Sequence, residues 1–132
     1  MKPNPEYTRK LLTAFEDAPK PTTDIRELQE RGVDYRSDEF VFHMQLLEDN
    51  GYVQREDAEP GFGLVRSVDG FCSWSVLPLR LTASGHEFAE AMRSEHGFQA
   101  VKKSLIKSSL SIMRDIAVGG LRAELTKHGY LP

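Results

Sequence analysis

Apolar residues recur every three or four positions along most of the chain, and this spacing predicts a mainly helical fold. Helices are predicted over residues 6–17, 25–31, 38–50, 83–95 and, as a continuing helical pattern, 98–127. Capping residues support these boundaries, with Asn4 before the first helix, Ser37 before the third and Thr82 before the fourth. Gly119 and Gly120 are expected to kink or split the last helix, because glycine is a poor helix former.

A strand-rich segment separates the third and fourth predicted helices. Residues 52–55 alternate like the start of a strand, and two further runs, 62–68 and 71–81, flank the dipeptide Asp69-Gly70. Asp-Gly is typical of hairpin turns. Pro78 lacks an N–H, so the second run is expected to lie at an edge or to be interrupted there. The predicted fold class is mainly α with a small β-hairpin wing (α+β).

Two local patterns resemble bacterial winged helix-turn-helix regulators of the ArsR and MarR kind. The first is the third helix, with its polar start, an apolar run around His43, and Gly51 leading into a strand. The second is Arg80-Leu81-Thr82, followed three residues later by Gly85, which is similar to the step from wing to next helix. The resemblance implies a winged helix-turn-helix domain over residues 6–96, followed by a C-terminal helical segment over 97–128.

Over residues 7–125 the chain also resembles a family of small uncharacterised bacterial and phage proteins, a domain-of-unknown-function family. The stretch that carries this likeness best runs Arg-Leu-Thr-x-x-Gly-His-Glu-Phe over residues 80–88 and is supported by Val101-Lys102-Lys103. That family has no established activity, so the resemblance bears on the fold more than on the function.

Length and composition indicate a globular protein of the cytoplasm. The 132 residues suit one domain, and the single cysteine excludes an internal disulfide. No stretch approaches the roughly 20 apolar residues of a membrane span, and the N-terminus lacks the apolar core of a signal peptide. We therefore expect no membrane partner.

The distribution of charge argues against a dedicated nucleic-acid binder. The formal net charge is −3, and it divides into −6 over residues 1–60 and +3 over residues 61–132. Residues 36–51, which include the third predicted helix, carry one arginine against four carboxylates. Since phosphate neutralisation supplies most non-specific DNA affinity, basic side chains elsewhere in the chain would have to contribute.

The third helix of a winged helix lies in the major groove, so its exposed side chains are candidate contacts with double-stranded DNA. These candidates are Arg36, Ser37, Asp38, Phe42, Gln45 and Asp49. Arg66 on the hairpin, with Lys102 and Lys103 in the tail, would add phosphate contacts. The alternative is a protein-interaction module, such as a phage-encoded modulator that binds a host protein, because Phe42 and Leu46 beside carboxylates also suit a protein partner. Both alternatives stay open at this point.

The apolar stripe of the tail predicts a homodimer held by Ile112, Ile116 and Leu121. The wing aromatics Phe71 and Trp74 are expected to pack over the sheet rather than to stack on bases.

No catalytic site is predicted, because Ser84-Gly85-His86-Glu87 starts a helix and lacks the Gly-x-Ser-x-Gly turn of a nucleophile elbow. The four histidines have no metal-ligand spacing, so neither a metal nor a cofactor is expected. His43 and His86 are each expected to be a packed histidine that bonds a backbone carbonyl.

Overall fold

Six helices and two small antiparallel sheets make up residues 1–104 and 109–131, the part of the chain that the computed structural model describes. The helices are α1 (Pro5–Glu16), α2 (Ile25–Glu30), α3 (Asp38–Asp49), α4 (Ala83–Arg93), α5 (Glu95–Lys103) and α6 (Leu110–Lys127). The strands are β1 (Val53–Arg55), β2 (Leu64–Arg66), β3 (Cys72–Trp74) and β4 (Leu79–Leu81). Within these residues every helix is too short or too polar to cross a bilayer.

Side-chain caps fix where the helices begin, as the sequence predicts. The Asn4 carboxamide oxygen accepts the Tyr7 N–H at 3.0 Å, and the Ser37 hydroxyl accepts the Phe40 N–H at 3.1 Å. At α4 the Thr82 hydroxyl likewise accepts a backbone N–H of the first turn, at 3.1 Å. Each cap satisfies an N–H group that the helix itself leaves without a partner.

The run predicted as one strand over residues 71–81 is two strands in different sheets. β3 pairs with β2 in a hairpin around Asp69-Gly70, which confirms the predicted turn. β4 begins only after Pro78 and pairs with β1, and Thr23 bridges to Leu79 on its other side. Pro78 donates no hydrogen bond, but its carbonyl accepts the Glu56 N–H at 3.0 Å. The fold is therefore mixed α/β, with one sheet more than the single predicted hairpin.

The predicted helix over residues 83–95 is also interrupted. Ser94 is extended and ends α4, and its hydroxyl accepts the Gly97 N–H at 2.9 Å, so α5 begins at once. The division expected between residues 96 and 97 falls inside α5. The part of the predicted helical tail over residues 105–108 lies outside the described residues.

One apolar core joins residues from all six helices and from strands β1 and β4. Met44 and Leu47 of α3 are fully buried in it, with Leu11 of α1 and Phe88 of α4. The second half of the chain contributes as well, because the side chains of α6 that face inward are fully or almost fully buried: Leu110, Met113 and Ala117. Part of the apolar stripe of the tail is thus covered within its own chain.

Gly119 and Gly120 do not split α6, which runs unbroken through both, so the predicted split is wrong. Gly120 permits close packing on α5. A Cβ atom at Gly120 would meet the His96 carbonyl oxygen at 2.8 Å and the Ala100 side chain at 2.9 Å, whereas one at Gly119 would meet nothing within 4 Å. The two neighbouring glycines therefore have different physical roles.

This difference predicts opposite effects on stability for the same substitution. Gly119→Ala should raise the free energy of unfolding by about 0.5–1 kcal/mol, because alanine is the better helix former and the site is open. Gly120→Ala should lower it by about 1–3 kcal/mol through overpacking against α5. Urea denaturation of the two variants measures both. Equal effects would mean that α5 and α6 do not approach as closely as described.

Candidate functional site

The solvent-facing side of α3 brings together most of the residues predicted to bind DNA or a partner. Asp38, Phe42, Gln45 and Asp49 are spaced by four, three and four residues, so they share one face of the helix. Asp38, Gln45 and Asp49 are exposed. Phe42, expected to be exposed, is half-buried because its ring meets the His43 ring edge-on at 5.3 Å. We call these four residues the α3 face.

Arg36 and Ser37 lie at the beginning of α3, and they differ in whether their side chains can contact a ligand. The Ser37 hydroxyl is engaged as the helix cap. The Arg36 side chain is exposed, with its guanidinium 5.2 Å from the centre of the Tyr35 ring. Arg36 is therefore the cation nearest in sequence to the α3 face, which itself carries two carboxylates.

The base of the β2–β3 hairpin is fixed to the beginning of α3 by an aromatic cluster. The Trp74 ring lies 5.2 Å from Tyr35, 6.1 Å from Phe40 and 6.2 Å from Phe62. The expectation that Trp74 packs is confirmed. Because Tyr35 directly precedes Arg36, the hairpin base and the beginning of α3 form one continuous region.

The hairpin tip, residues 65–71, projects from this base and is open to solvent. The prediction that Phe71 packs is wrong, because its side chain is 73% exposed, and Val68 is also fully exposed. The reason is geometric: the turn closes through the Ser67 N–H, which donates to the Phe71 carbonyl at 3.0 Å, and this places Phe71 beyond the sheet. Arg66 is exposed in β2 beside this turn.

His43 lies on the inner side of α3 and connects it to α1. Its Nε2 accepts the Asn4 N–H at 2.9 Å, so the proton resides on Nδ1, which donates to the Glu39 carbonyl at 2.8 Å. The ring is buried, which confirms a packed histidine bonded to a carbonyl. Burial lowers the pKa of His43, because the charged form is desolvated.

His86 does not match that expectation, because it is exposed. The adjacent Gly85 is the residue that faces inward, where a Cβ atom would stand 2.0 Å from the Tyr52 carbonyl oxygen. With Gly85 against the backbone, the side chain of His86 points to solvent.

Tyr7 of α1 packs beneath α3, with its ring 4.7 Å from the His43 ring. Burial raises the pKa of Tyr7 to about 12, opposed by the nearby Ser37 side chain and reinforced by the carboxylates of Glu39 and Asp34. The phenol is therefore neutral at physiological pH. The contact between Tyr7 and His43 was not predicted, although Tyr7 belongs to the apolar spacing of α1.

Lys102 and Lys103 are both exposed on α5, but they are not equivalent. The Lys102 Nζ lies 3.3 Å from a Glu6 carboxylate oxygen and 5.5 Å from the Phe98 ring centre. Its ion pair is thus with α1 and its ring contact with α5, rather than with α3 or the hairpin. Lys103 makes no ion pair with any residue in the described ranges.

The three residues predicted to form a dimer interface do not share one face of α6. Ile112 is exposed and Ile116 is half-buried, and their spacing of four places them on the same flank. Leu121, nine residues after Ile112, lies on the opposite side of the helix at about 100° per residue. There it borders a groove of about 490 Å³ with Val118 and Leu125.

A second surface was missed by sequence reasoning altogether. A groove of about 750 Å³ runs along the outer side of α1 and is bordered by five basic side chains, Arg9, Lys10, Arg31, Arg93 and Lys102. We call it the α1 groove. The only signal in the sequence was the polar side of α1, on which Glu6, Arg9, Lys10, Thr13 and Asp17 recur at helical spacing.

Comparison with protein families places the chain in a family of hypothetical proteins. The profile of a family described as hypothetical protein (DUF2513) matches residues 2–111, from before α1 to the beginning of α6. Comparison with curated proteins and with solved structures yields no match. The predicted likeness to an uncharacterised domain of unknown function is confirmed by this match.

The buried, neutral His43 predicts a loss of stability in mild acid. Its pKa in the folded state lies below the unfolded value of about 6.5, so the unfolded state binds more protons between those two pH values. The free energy of unfolding should therefore fall as the pH drops below about 7, by at most about 1.4 kcal/mol per pH unit from this residue, and level off below the folded-state pKa.

Denaturation at pH 7.5 and at lower pH tests the assignment. His43→Gln should reduce the pH dependence, whereas the exposed control His86→Gln should keep it. If His86→Gln flattened the profile and His43→Gln did not, the buried bridge would not be the pH-sensitive group.

Proposed function

Since the chain belongs to the DUF2513 family of hypothetical proteins, its role has to be inferred from its own surface, and we propose that it is a winged helix-turn-helix protein that binds duplex DNA. The order of elements supports this proposal. Thr23 and β1 flank β4, α3 directly precedes β1, and the β2–β3 hairpin is inserted between β1 and β4. In this interpretation the hairpin is the wing and α3 is the recognition helix.

The observation that carries the proposal is the attachment of the hairpin to the beginning of α3. Trp74 fixes the hairpin base beside Tyr35, so Arg36 and the wing residue Arg66 are presented from one connected region. The α3 face adds Gln45, whose carboxamide suits adenine. A helix and a wing that are held together can contact adjacent parts of one duplex.

Charge limits how such a complex would form. The α3 face carries Asp38 and Asp49, which repel phosphates, and the exposed cations of the region are Arg36 and Arg66. Phosphate contacts would therefore come from these two arginines at the edges of the face, while Gln45 at its centre would contact bases. The resulting affinity should be moderate and strongly dependent on salt.

A non-enzymatic protein-interaction module is the second candidate, and the hairpin tip favours it. Val65, Val68 and Phe71 are exposed apolar side chains on one short hairpin, close to an acidic helix face. Such a combination also suits a partner protein with a basic, partly apolar surface. A regulator of transcription and a modulator of a host protein would use the same surface in different ways.

We also propose that the protein forms a homodimer through α6. We place the interface on the flank of α6 that carries Ile112 and Ile116, because Ile112 is 38% exposed and Ile116 follows one turn later. Leu121 lies on the opposite flank of α6. It would belong to the interface only if the second protomer contacted both flanks of the helix.

The DNA proposal predicts a specific salt dependence. The logarithm of affinity for duplex fragments should fall linearly with the logarithm of salt concentration, by about 0.9 per phosphate neutralised. The double variant Arg36→Gln with Arg66→Gln should flatten this slope by about two units, because each arginine removes one phosphate contact. Fluorescence anisotropy at several salt concentrations measures the slopes.

Two controls separate charge from base recognition. Lys20→Gln removes an exposed cation distant in sequence from α3 and the hairpin, and it should keep the wild-type slope. Gln45→Ala should reduce preference among sequences without changing the slope. Absence of saturable duplex binding at the lowest salt would rule out the DNA proposal and leave the protein-interaction candidate.

The dimer proposal predicts that Ile112→Asp converts a dimer into a monomer, because a charge would be buried at the interface. Leu121→Asp, on the opposite flank, serves as the matched comparison and should leave the dimer in place. Light scattering coupled to size-exclusion chromatography measures the mass. A wild-type monomer at high micromolar concentration would contradict the proposal.

A further inference from the structure

The α1 groove concentrates positive charge in a protein whose net charge is −3. Its lining contains the five basic side chains named above and two carboxylates, those of Glu6 and Asp17, so the difference is +3. Its floor is the outer side of α1, and its walls come from Arg31 after α2, from Arg93 at the end of α4, and from α5. The groove is thus a locally cationic recess.

Only two of the five cations are balanced by carboxylates. Arg93 lies 3.3 Å from Glu16 and 3.2 Å from Asp17, and Lys102 lies 3.3 Å from Glu6. The other three, Arg9, Lys10 and Arg31, form no ion pair with any carboxylate of residues 1–104 or 109–131. These three are called the unbalanced cations.

The two unbalanced arginines are held in place by neutral hydrogen-bond acceptors. Arg31 Nε donates to the Ala14 carbonyl at 2.7 Å and its Nη2 to the Thr23 hydroxyl at 2.5 Å, and an Arg9 Nη donates to the Arg93 carbonyl at 3.3 Å. Arg9 also lies over the Phe98 ring, 4.3 Å from its centre. These contacts use a minority of the five N–H donors of each guanidinium and leave the others for a ligand.

Carbonyl groups at helix ends offset only part of such a charge. Ala14 is in the last turn of α1 and Arg93 is the last residue of α4, and a helix C-terminus carries about half a negative charge. Both arginines are also half-buried, which weakens their hydration. Lys10 is exposed, and its ammonium group makes no hydrogen bond or ion pair with the described residues, so it is available to an anion.

We propose that the α1 groove binds a short polyphosphate chain, either free or as the phosphate portion of a nucleotide. Three unbalanced cations match the three or more negative charges of such a chain, and guanidinium groups bind phosphate oxygens bidentately. The Phe98 ring is only 6% exposed and lies beneath Arg9, so the groove offers no open aromatic surface to a base. Recognition is therefore directed at the phosphates.

Duplex DNA fits this groove less well than a small anion. The cations line a recess along α1, whereas a convex duplex is contacted by protruding elements such as a recognition helix or a wing. The volume of about 750 Å³ is within the range of small-molecule sites. The proposal is independent of DNA binding and concerns a different surface from the α3 face.

Isothermal titration calorimetry at low salt, with sodium tripolyphosphate as the probe, tests the proposal. We expect saturable binding with one site per chain and a loss of about tenfold or more in affinity for Lys10→Gln, because one charge-assisted contact is removed. Lys10→Gln should fold normally, since the side chain is exposed and its ammonium group makes no hydrogen bond or ion pair with the described residues. Lys103→Gln is the matched control: it removes an exposed lysine that does not line the groove.

Adenosine triphosphate and adenosine monophosphate, titrated in parallel, identify the source of the phosphates. Equal affinities for adenosine triphosphate and tripolyphosphate indicate a free polyphosphate. A clear preference for the nucleotide indicates additional contacts to its nucleoside. Either result supports the site if Lys10→Gln weakens the binding of these ligands. No saturable heat with any of these ligands would overturn the proposal. Equal affinity of wild type, Lys10→Gln and Lys103→Gln would also overturn it, as would a Lys10→Gln defect confined to duplex DNA.

Discussion

The three-residue strand β4 is the constraint on which the rest of the architecture depends. Leu79 is fully buried and exchanges two backbone hydrogen bonds with Thr23, of 2.8 and 2.7 Å, while β4 pairs with β1 along its other edge. A buried strand has to satisfy its N–H and C=O groups, and here the chain before α2 and the chain after α3 do so together. The positions of α2 and α3 are therefore linked through a strand that lies well after both in the sequence.

The same pairing explains why a hairpin that projects into solvent keeps its position. The segment between β1 and β4, which contains the hairpin, is closed at its two ends by the Glu56–Pro78 backbone hydrogen bond. Within this segment Trp74 packs on Phe40 and Tyr35. Beyond that cluster nothing in the described residues covers Val68 or Phe71. Whatever partner the protein has, it meets a tip whose base is fixed relative to α3.

The acidity of α3 has two different physical origins. Asp38 and Glu39 lie in the first turn, where carboxylates are stabilised by the positive end of the helix dipole. Glu48 near the other end accepts the Gly61 N–H at 3.0 Å and so helps to hold the loop before β2. Asp49 lies at the unfavourable end of the dipole, and its carboxylate makes no hydrogen bond or ion pair with the described residues. It is therefore the one carboxylate of α3 that these interactions do not stabilise.

The sequence predicted those features that depend on local chemistry. The caps Asn4, Ser37 and Thr82, the Asp-Gly turn and the interruption at Pro78 each follow from one residue and its immediate neighbours. On the α3 face, helical spacing alone was sufficient to group Asp38, Phe42, Gln45 and Asp49.

Features that depend on distant contacts were not predictable in this way. The close approach of α5 and α6 at Gly97 and Gly120 is such a feature, since a Cβ at Gly97 would stand 2.8 Å from the Ala117 carbonyl oxygen. No local pattern carries that information. The exposure of Phe71 and of His86 was also not predictable from local sequence. It depends on which of two adjacent residues the backbone directs towards the core.

The α1 groove was missed for a related reason, which also bears on its charge. Its arginines come from three separate helical regions, and no stretch of sequence shows them together. Arg93 is neutralised by Glu16 and Asp17, whereas Arg9 and Arg31, in the same groove, are held by carbonyls at helix ends and, for Arg31, also by the Thr23 hydroxyl. A carboxylate would have anchored either arginine and cancelled its charge. Anchoring by uncharged acceptors fixes the guanidinium groups and leaves most of their charge to the groove along α1.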